Sequence, residues 1–216
     1  MIVKNFKVIH VKRDYIADFT EKWHYSANIN GVICDHCFGL FNEGELIGAA
    51  IFGKMAMANQ WKRFSDNPEK VIELRRLCCI DDTPKNTESY FIGKCLKWLT
   101  ENTKIDVVAS YSDLEYGHEG VIYKASNFEC LGVQKGAKVI IYNGKSYHDK
   151  AIRTKYNGTL KPFAQRIKDA LETGEAYYKD TKGKVAYQYT LKRKKTKADY
   201  NSVLDACKVT LADFFV

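Results

Sequence analysis

Two stretches carry side chains with the chemistry of a transfer site. In the first, Ser110-Tyr-Ser-Asp113 is followed by Gly117-His118-Glu-Gly120, so hydroxyls, a carboxylate and an imidazole lie close together in sequence. In the second, Trp23-His24-Tyr25-Ser26 places another imidazole beside a phenol and a hydroxyl. A histidine is matched to proton transfer near neutral pH, whereas an aspartate needs a raised pKa to act as a base. Position alone reads His24 as a surface or capping histidine; between the two groups, His24 is the better matched to serve as a base and Asp113 as an orienter or ligand. A third element, Val71 to Ile80 (VIELRRLCCI), carries Glu73, Arg75 and Arg76 on what reads as a strand. Period-two alternation groups Glu73 with Arg75 and Leu74 with Arg76, so one face of the strand is not ordinary core. Charged groups on a central strand mark a cleft more often than a core, because unpaired burial is costly.

The remaining segments must position these residues. Phe6–Val11 alternates as a first strand, and a helix opens at Arg13/Asp14 and runs through Tyr15, Ile16, Phe19 and Trp23. His24 therefore sits at a helix end, ahead of the breakers Asn28, Asn30 and Gly31. Cys37–Phe41 and Leu46–Phe52 flank a short Gly-containing connection and form a hairpin, with Gly48 marking a bulge or a close backbone approach. A polar stretch from Met55 to Lys70 contains Trp61, Lys62, Arg63 and Phe64. That composition suits a nucleic-acid grip and an aromatic-anchored loop equally well. Phe91, Ile92, Cys95, Leu96 and Leu99 form one helical stripe, whose start can be capped by Asn86 with Ser89 nearby or by Thr83 with Pro84 behind it. Ile105–Ala109 reads as a buried strand with Ser110–Asp113 at its polar tip, followed by a helix carrying Val121, Ile122, Ala125 and Phe128. Val133 and Val139–Tyr142 read as closing strands, Pro162–Leu171 as a short helix stopped at Gly174, and Lys184–Leu191 as another strand. A basic run, KRKKTK, then precedes a helix over Ala198–Phe215, whose apolar stripe must bury somewhere. A short basic run is usually a solvated linker.

The bulk numbers set bounds. With 216 residues and 45% hydrophobic content the chain can bury a real core. No apolar run reaches the length of a membrane span, and the first residues lack a secretory h-region, so the expectation is a soluble protein of the cytoplasm. Seven cysteines, an odd number in a chain of this size, fit reduced thiols. Cys34-Asp-His-Cys37 resembles half a zinc site, but no second pair completes it, which favours structural cysteines. The net charge of +8, from 34 Lys+Arg against 26 Asp+Glu, favours approach to a polyanion.

The order strand, helix, hairpin, strand, helix, strand, helix, closing strands is the layout of an α+β, GNAT-like fold, a mixed central sheet flanked by helices, here with a C-terminal extension. The motifs WHYS at 23–26, ELRRL at 73–77, NTESYFI at 86–92 and SYSD…GHEGVIYKASNF at 110–128 together resemble the phage DNA-modification family Mom. The likeness covers most of residues 20 to 145 and the strand at 184–191. It implies a GNAT-like catalytic core over residues 1–148, a family-type segment over 149–192, and a basic linker with a terminal helix over 193–216. It implies a phage-encoded enzyme of the host cytoplasm that converts the exocyclic amine of adenine in DNA to a carbamoylmethyl-type adenine, which host restriction enzymes cut poorly. The family's functional histidine and tyrosine fall on His24 and Tyr25, next to Ser26. Its strand arginine falls on Arg75 or Arg76, and its acidic residue on Asp113 beside Ser110, with His118 nearby.

Other readings are an N-acetyltransferase using acetyl-CoA on a protein or small amine, and a non-catalytic DNA-binding anti-restriction protein. Acetyl-CoA enzymes of this fold offer glycine-rich backbone N–H groups to a pyrophosphate at a helix N-terminus. The corresponding loop here, Asp81-Asp-Thr-Pro-Lys-Asn86, has no glycine, one proline and two acids. Acetyl-CoA is thereby disfavoured and the donor is unassigned. Iron or another divalent metal held by His24, Asp113 and His118 is a minority option. The partner is double-stranded DNA and no membrane is involved; a dimer is compatible with the sequence. Reaching the amine requires extruding the base onto aromatic side chains, for which Tyr25, Tyr111, Tyr116 and Tyr123 are candidates. Lys62, Arg63 and the Lys192, Arg193, Lys194 and Lys195 run are candidates for backbone contacts.

Overall fold

The computed structural model describes residues 5–193, apart from 58 and 154. They form two compact units, the first of residues up to 108 and from 190 onward, the second of residues 109–189. The terminal helix expected over Ala198–Phe215, and Lys194 and Lys195 before it, lie outside the described residues.

In the first unit, β1 (Lys7–Val11), β2 (His36–Asn42), β3 (Glu45–Gly53) and β4 (Val71–Cys79) pair antiparallel in chain order, with α1 (Arg13–Trp23) and α2 (Thr87–Asn102) beside them. One sheet face presents Cys37, Ala49, Ile51 and Cys78 to Ile16 of α1 and to Ile29. Ile16 is fully buried, worth roughly 2 kcal/mol in removed apolar area. On the other face, Phe38 and Phe52 meet edge to face at 5.7 Å, and Trp98 of α2 packs on Phe38 at 5.3 Å. The stripe Phe91, Ile92, Cys95, Leu96 and Leu99 is buried, as its spacing predicts. Asn86 is the residue before α2, in a left-handed conformation with no side-chain cap. Thr87 instead donates both its N–H and its hydroxyl to the Pro84 carbonyl.

Two register shifts shape this sheet. Leu40 pairs with Gly48 and Phe41 with Leu46, leaving Ile47 as the extra residue beside the glycine that the sequence marks as a bulge. Ile51 pairs with Arg76 and Phe52 with Leu74, leaving Arg75 as the extra residue in β4.

β5 (Val107–Asp113) crosses from the first unit to the second. The second unit continues with α3 (Val121–Ala125), β6 (Glu129–Gln134), β7 (Lys138–Tyr142), β8 (Lys145–His148), β9 (Lys155–Tyr156), β10 (Thr159–Leu160), α4 (Pro162–Thr173), β11 (Tyr177–Asp180) and β12 (Lys184–Thr190). Here β12 lies between β5 and β6, a separate sheet has the order β11-β7-β8, and β9 and β10 form a small hairpin. Ile140 of β7 packs with Ile167 and Ala170 of α4 and with Ala176. α4 ends at Gly174 in a left-handed conformation, the stop its sequence announces.

The sequence reading needs correction at two places near Ser110. β5 runs through Ser110–Asp113 as regular strand, beyond the expected Ile105–Ala109, because Ser110 and Ser112 are small enough to be buried within it, at 0% and 3% exposure. The helix that follows is a single short turn: Val121 is exposed, and Phe128, though buried, lies beyond its end. No described helix is long and apolar enough to cross a membrane.

Candidate active site

In the first unit the site is built from the end of α1 and from β4. The α1 backbone leaves helical geometry at His24, whose N–H still bonds the Thr20 carbonyl. The chain then tightens, with Ala27 N–H donating to the His24 carbonyl at 2.8 Å. This folds Ser26 back over the imidazole. Ser26 N–H donates to His24 Nδ1 at 3.1 Å, and the Ser26 hydroxyl lies 2.8 Å from the same nitrogen. An amide hydrogen is fixed in direction, so the hydrogen-bond pattern assigns a lone pair to Nδ1 and the ring proton to Nε2. The Ser26 hydroxyl, which rotates, also reaches the Asn28 carbonyl at 3.3 Å. His24 is buried, while Tyr25, whose ring lies 4.2 Å from it, is 47% exposed.

The bulge in β4 separates the two arginines. Arg75 Nε lies 3.5 Å from a Glu73 carboxylate oxygen, and its Nη1 donates to the Lys54 carbonyl at 2.8 Å. Glu73 in turn accepts the Ala56 N–H. The pairing of Glu73 with Arg75 is the one that alternation predicts. Arg76 is not on the Leu74 face, because the extra residue turns it to the side of Ile51. Its Nη1 donates to the Arg75 carbonyl at 2.8 Å and its Nη2 to the Asn28 carbonyl at 3.3 Å. Asn28 O thus receives both the Ser26 hydroxyl and Arg76, closing a chain from imidazole to guanidinium. Burial lowers the Arg76 pKa from its ordinary value, opposed by the neighbouring Tyr25 hydroxyl; a guanidinium still keeps its charge at any working pH. Arg76 Nε is buried with no hydrogen-bond partner among the described residues.

In the second unit, Asp113 ends β5. One carboxylate oxygen accepts the Glu115 N–H at 3.1 Å and the other lies 2.9 Å from Lys184 Nζ. The carbonyl of Asp113 accepts the His118 N–H, and His118 itself is exposed. The same turn is tied down by Glu115, held below the usual carboxylate range by its hydrogen bond from Lys179 and by the Lys182 N–H. Gly120 packs against Tyr187, whose hydroxyl donates to the Glu119 carbonyl at 3.0 Å. Tyr123 is not available to a base: it is buried among Tyr187 and Phe128, at 5.0 and 5.6 Å between rings. Tyr111 is half-buried, and Tyr116 is exposed.

The expected DNA-contact residues divide. Lys62 and Arg63 are exposed in a 3-10 turn, with the Lys62 ammonium 5.6 Å from the Trp61 ring centre. Lys192 is exposed, but Arg193 is committed to the chain itself, donating to the Thr103 and Ile105 carbonyls. The cysteines at 34 and 37 are free thiols, and burial together with Cys34 pushes the Cys37 thiol up to about 12. Among the described residues no group of three or more His, Cys, Asp or Glu side chains is placed to hold a metal. The sequence reading missed Lys184 and the Asn28 carbonyl. Lys184 stood out only as the first residue of a strand, and a backbone carbonyl carries no signal in side-chain chemistry.

The sequence profile of the Mom protein family matches residues 5–204. A curated relative, the methylcarbamoylase Mom of Escherichia phage Mu, is 31% identical over 115 residues, which span 51% of this chain and 47% of the relative. The chain therefore matches about half the length of that relative. Solved structures of similar fold include an Acinetobacter baylyi protein described as an acetyltransferase, with TM-score 0.51 and 14% identity over 88% of this chain and 94% of that one. Another is the ribosomal-protein-S5-alanine acetyltransferase of Vibrio fischeri, with TM-score 0.50 and 8% identity over 89% of this chain and 96% of that one. At these identities the likeness is one of fold, and the fold is the GNAT-like α+β architecture.

Proposed function

The chain belongs to the Mom protein family, and on that premise we propose that it is a transferase acting on the exocyclic amine of adenine in DNA, whose product protects phage DNA from restriction. The observation that carries this reading is the chain His24, Ser26, Asn28 carbonyl, Arg76, which couples a proton-handling imidazole to a half-buried cation. An amine conjugated into adenine is a weak nucleophile, so the site must remove its proton and hold charge developing on the transferred group as the new N–C bond forms.

His24 takes the proton at Nε2. For this the ring must first carry its own proton at Nδ1, which gives up the Ser26 amide bond and donates instead to the Ser26 hydroxyl, 2.8 Å away. That hydroxyl keeps its own hydrogen and donates it in a hydrogen bond to the Asn28 carbonyl. Ser26 is thus the positioning residue that lets the imidazole change tautomer. Arg76, whose charge is held beside the Asn28 carbonyl, stabilises negative charge on the transferred group. Asp113, engaged by Lys184 and by the Glu115 amide, orients the second unit's turn.

The donor is a separate question. The loop before α2 turns its Thr87 amide inward to Pro84 and has no glycine, which supports a donor other than acetyl-CoA. Mass spectrometry of nucleosides from DNA exposed to the protein in cells tests the transfer itself.

A further inference from the structure

A pocket of about 250 Å³ opens in the first unit, apart from the hydrogen-bond chain just described. Met55 and Val71, 9% and 4% exposed, form its floor. Trp61, Met57 and Ile33 form its walls, the last two exposed large apolar side chains. Its volume lies below the ~300–1,000 Å³ of sites for larger ligands, which suits a single planar ring system. Its lining also suits one: an indole face and two thioethers give dispersion contacts without demanding one hydrogen-bond pattern.

The pocket's wall depends on a close backbone crossing. Any Cβ at Gly53 would stand 1.8 Å from the Ile33 carbonyl oxygen, so only glycine lets the segment before β2 lie against the end of β3. Asp35 N–H then bonds the Phe52 carbonyl, and the Asp35 carboxylate accepts the Lys54 N–H. The floor loop is held from the other side by residues of β4: Arg75 donates to the Lys54 carbonyl and Glu73 accepts the Ala56 N–H. Arg76 of the candidate site follows Arg75 directly. Around Trp61 the exposed charges are Lys54 and Glu69, which line the pocket and pair with each other, and Lys62 and Arg63 against Asp66, a net positive surround suited to a phosphate-linked ligand.

We propose that this pocket receives one purine base turned out of a DNA strand, stacked on Trp61, with Lys62 and Arg63 on the flanking phosphates. The proposal rests on the DNA-modification reading and adds to it the place where a base is held. Extrusion costs a few kcal/mol, and stacking on an aromatic face offsets it by roughly 1–3 kcal/mol per base.

The test uses the full chain and a single-stranded oligonucleotide carrying one 2-aminopurine, whose fluorescence reports stacking. With the wild type the emission is expected to change on binding. Trp61→Ala is expected to abolish that change and weaken binding by roughly fivefold or more, and Trp61→Phe to retain both. Met57→Lys blocks the mouth at an exposed position and is expected to abolish the emission change as Trp61→Ala does, which covers a folding failure of the latter. Equal emission changes and affinities in wild type, Trp61→Ala and Met57→Lys overturn the pocket. Adenine modification is read separately by nucleoside mass, so modification that persists undiminished in both variants sinks the pocket alone, whereas none with the wild type sinks the transferase reading.

Discussion

Arg76 Nη2 donates to the carbonyl of Asn28 at 3.3 Å, the same oxygen that the Ser26 hydroxyl reaches. Its neighbour Arg75 turns instead to Glu73 and to the Lys54 carbonyl. Two adjacent arginines on one strand therefore have different partners, Arg76 on the side of His24 and Asn28 and Arg75 on the loop that follows β3.

Substitution separates them. Arg76→Ala is expected to leave a folded protein with modification activity lowered on the order of 100-fold, the effect of losing one charge-stabilising donor. Arg75→Ala is expected to destabilise the fold by on the order of 2 kcal/mol. That is less than the ~3–5 kcal/mol of a fully buried pair, since the Arg75–Glu73 contact is long and slightly exposed. Urea denaturation and activity on the same preparations check both, and matching profiles for the two variants would refute the division of roles.

Ser26→Ala keeps the backbone amide bond to Nδ1 but removes the hydroxyl oxygen that accepts a hydrogen bond from a protonated Nδ1. Activity should fall about tenfold or more with unchanged thermal stability. Ser26→Thr keeps the hydroxyl and should retain most of the rate. Equal rates for the alanine and threonine variants would remove the tautomer change from the mechanism.

Much of this site was legible beforehand. The helix stopping at His24, the Glu73/Arg75 pair, the hairpin and the α2 stripe all follow from residue spacing. The choice between Arg75 and Arg76 was not, because it depends on a one-residue bulge that reverses alternation within β4, and neither residue type announces a bulge. The reach of the strand through Ser110–Asp113 was underestimated for a related reason: serine scores as polar, yet its side chain is small enough for a closed strand interior. Ser26 was legible as a candidate, but its contact with Nδ1 depends on a tight turn through Ala27 that composition does not specify.

His10 and His36 lie 3.4 Å apart in the first unit, and His10 stacks on Trp98 at 4.2 Å between rings. Burial lowers the pKa of both; at His36 the positive charge of His10 lowers it further, while Asp35 opposes the shift. Lowered folded values mean that the unfolded chain binds protons more readily. The contribution to stability is then complete above the unfolded value of about 6.5 and is lost as pH falls through the folded values. The urea midpoint should decline from pH 7 to pH 5, and His10→Phe, which keeps the ring on Trp98, should flatten that decline. An identical decline in the variant would show that this pair does not set the acid sensitivity.

Gly117 and Gly120 both have φ of 72°, but only Gly120 is crowded. A Cβ there would come within 2.3 Å of the Tyr187 hydroxyl, whereas none of the surroundings lies within 4 Å at Gly117. Gly117→Ala should cost roughly 1 kcal/mol from backbone conformation alone. Gly120→Ala should cost roughly 2–4 kcal/mol, adding displacement of a buried ring. Denaturation midpoints that are equal for the two variants would contradict the packing at Tyr187.

The most direct measurement is the nucleoside mass spectrum of DNA from cells expressing the wild type, His24→Ala or Arg76→Ala, each confirmed as folded. A heavier adenine nucleoside with the wild type, and its loss in both variants, is the predicted result. Unmodified adenine with the folded wild type, or modification at wild-type level in either variant, would contradict the account.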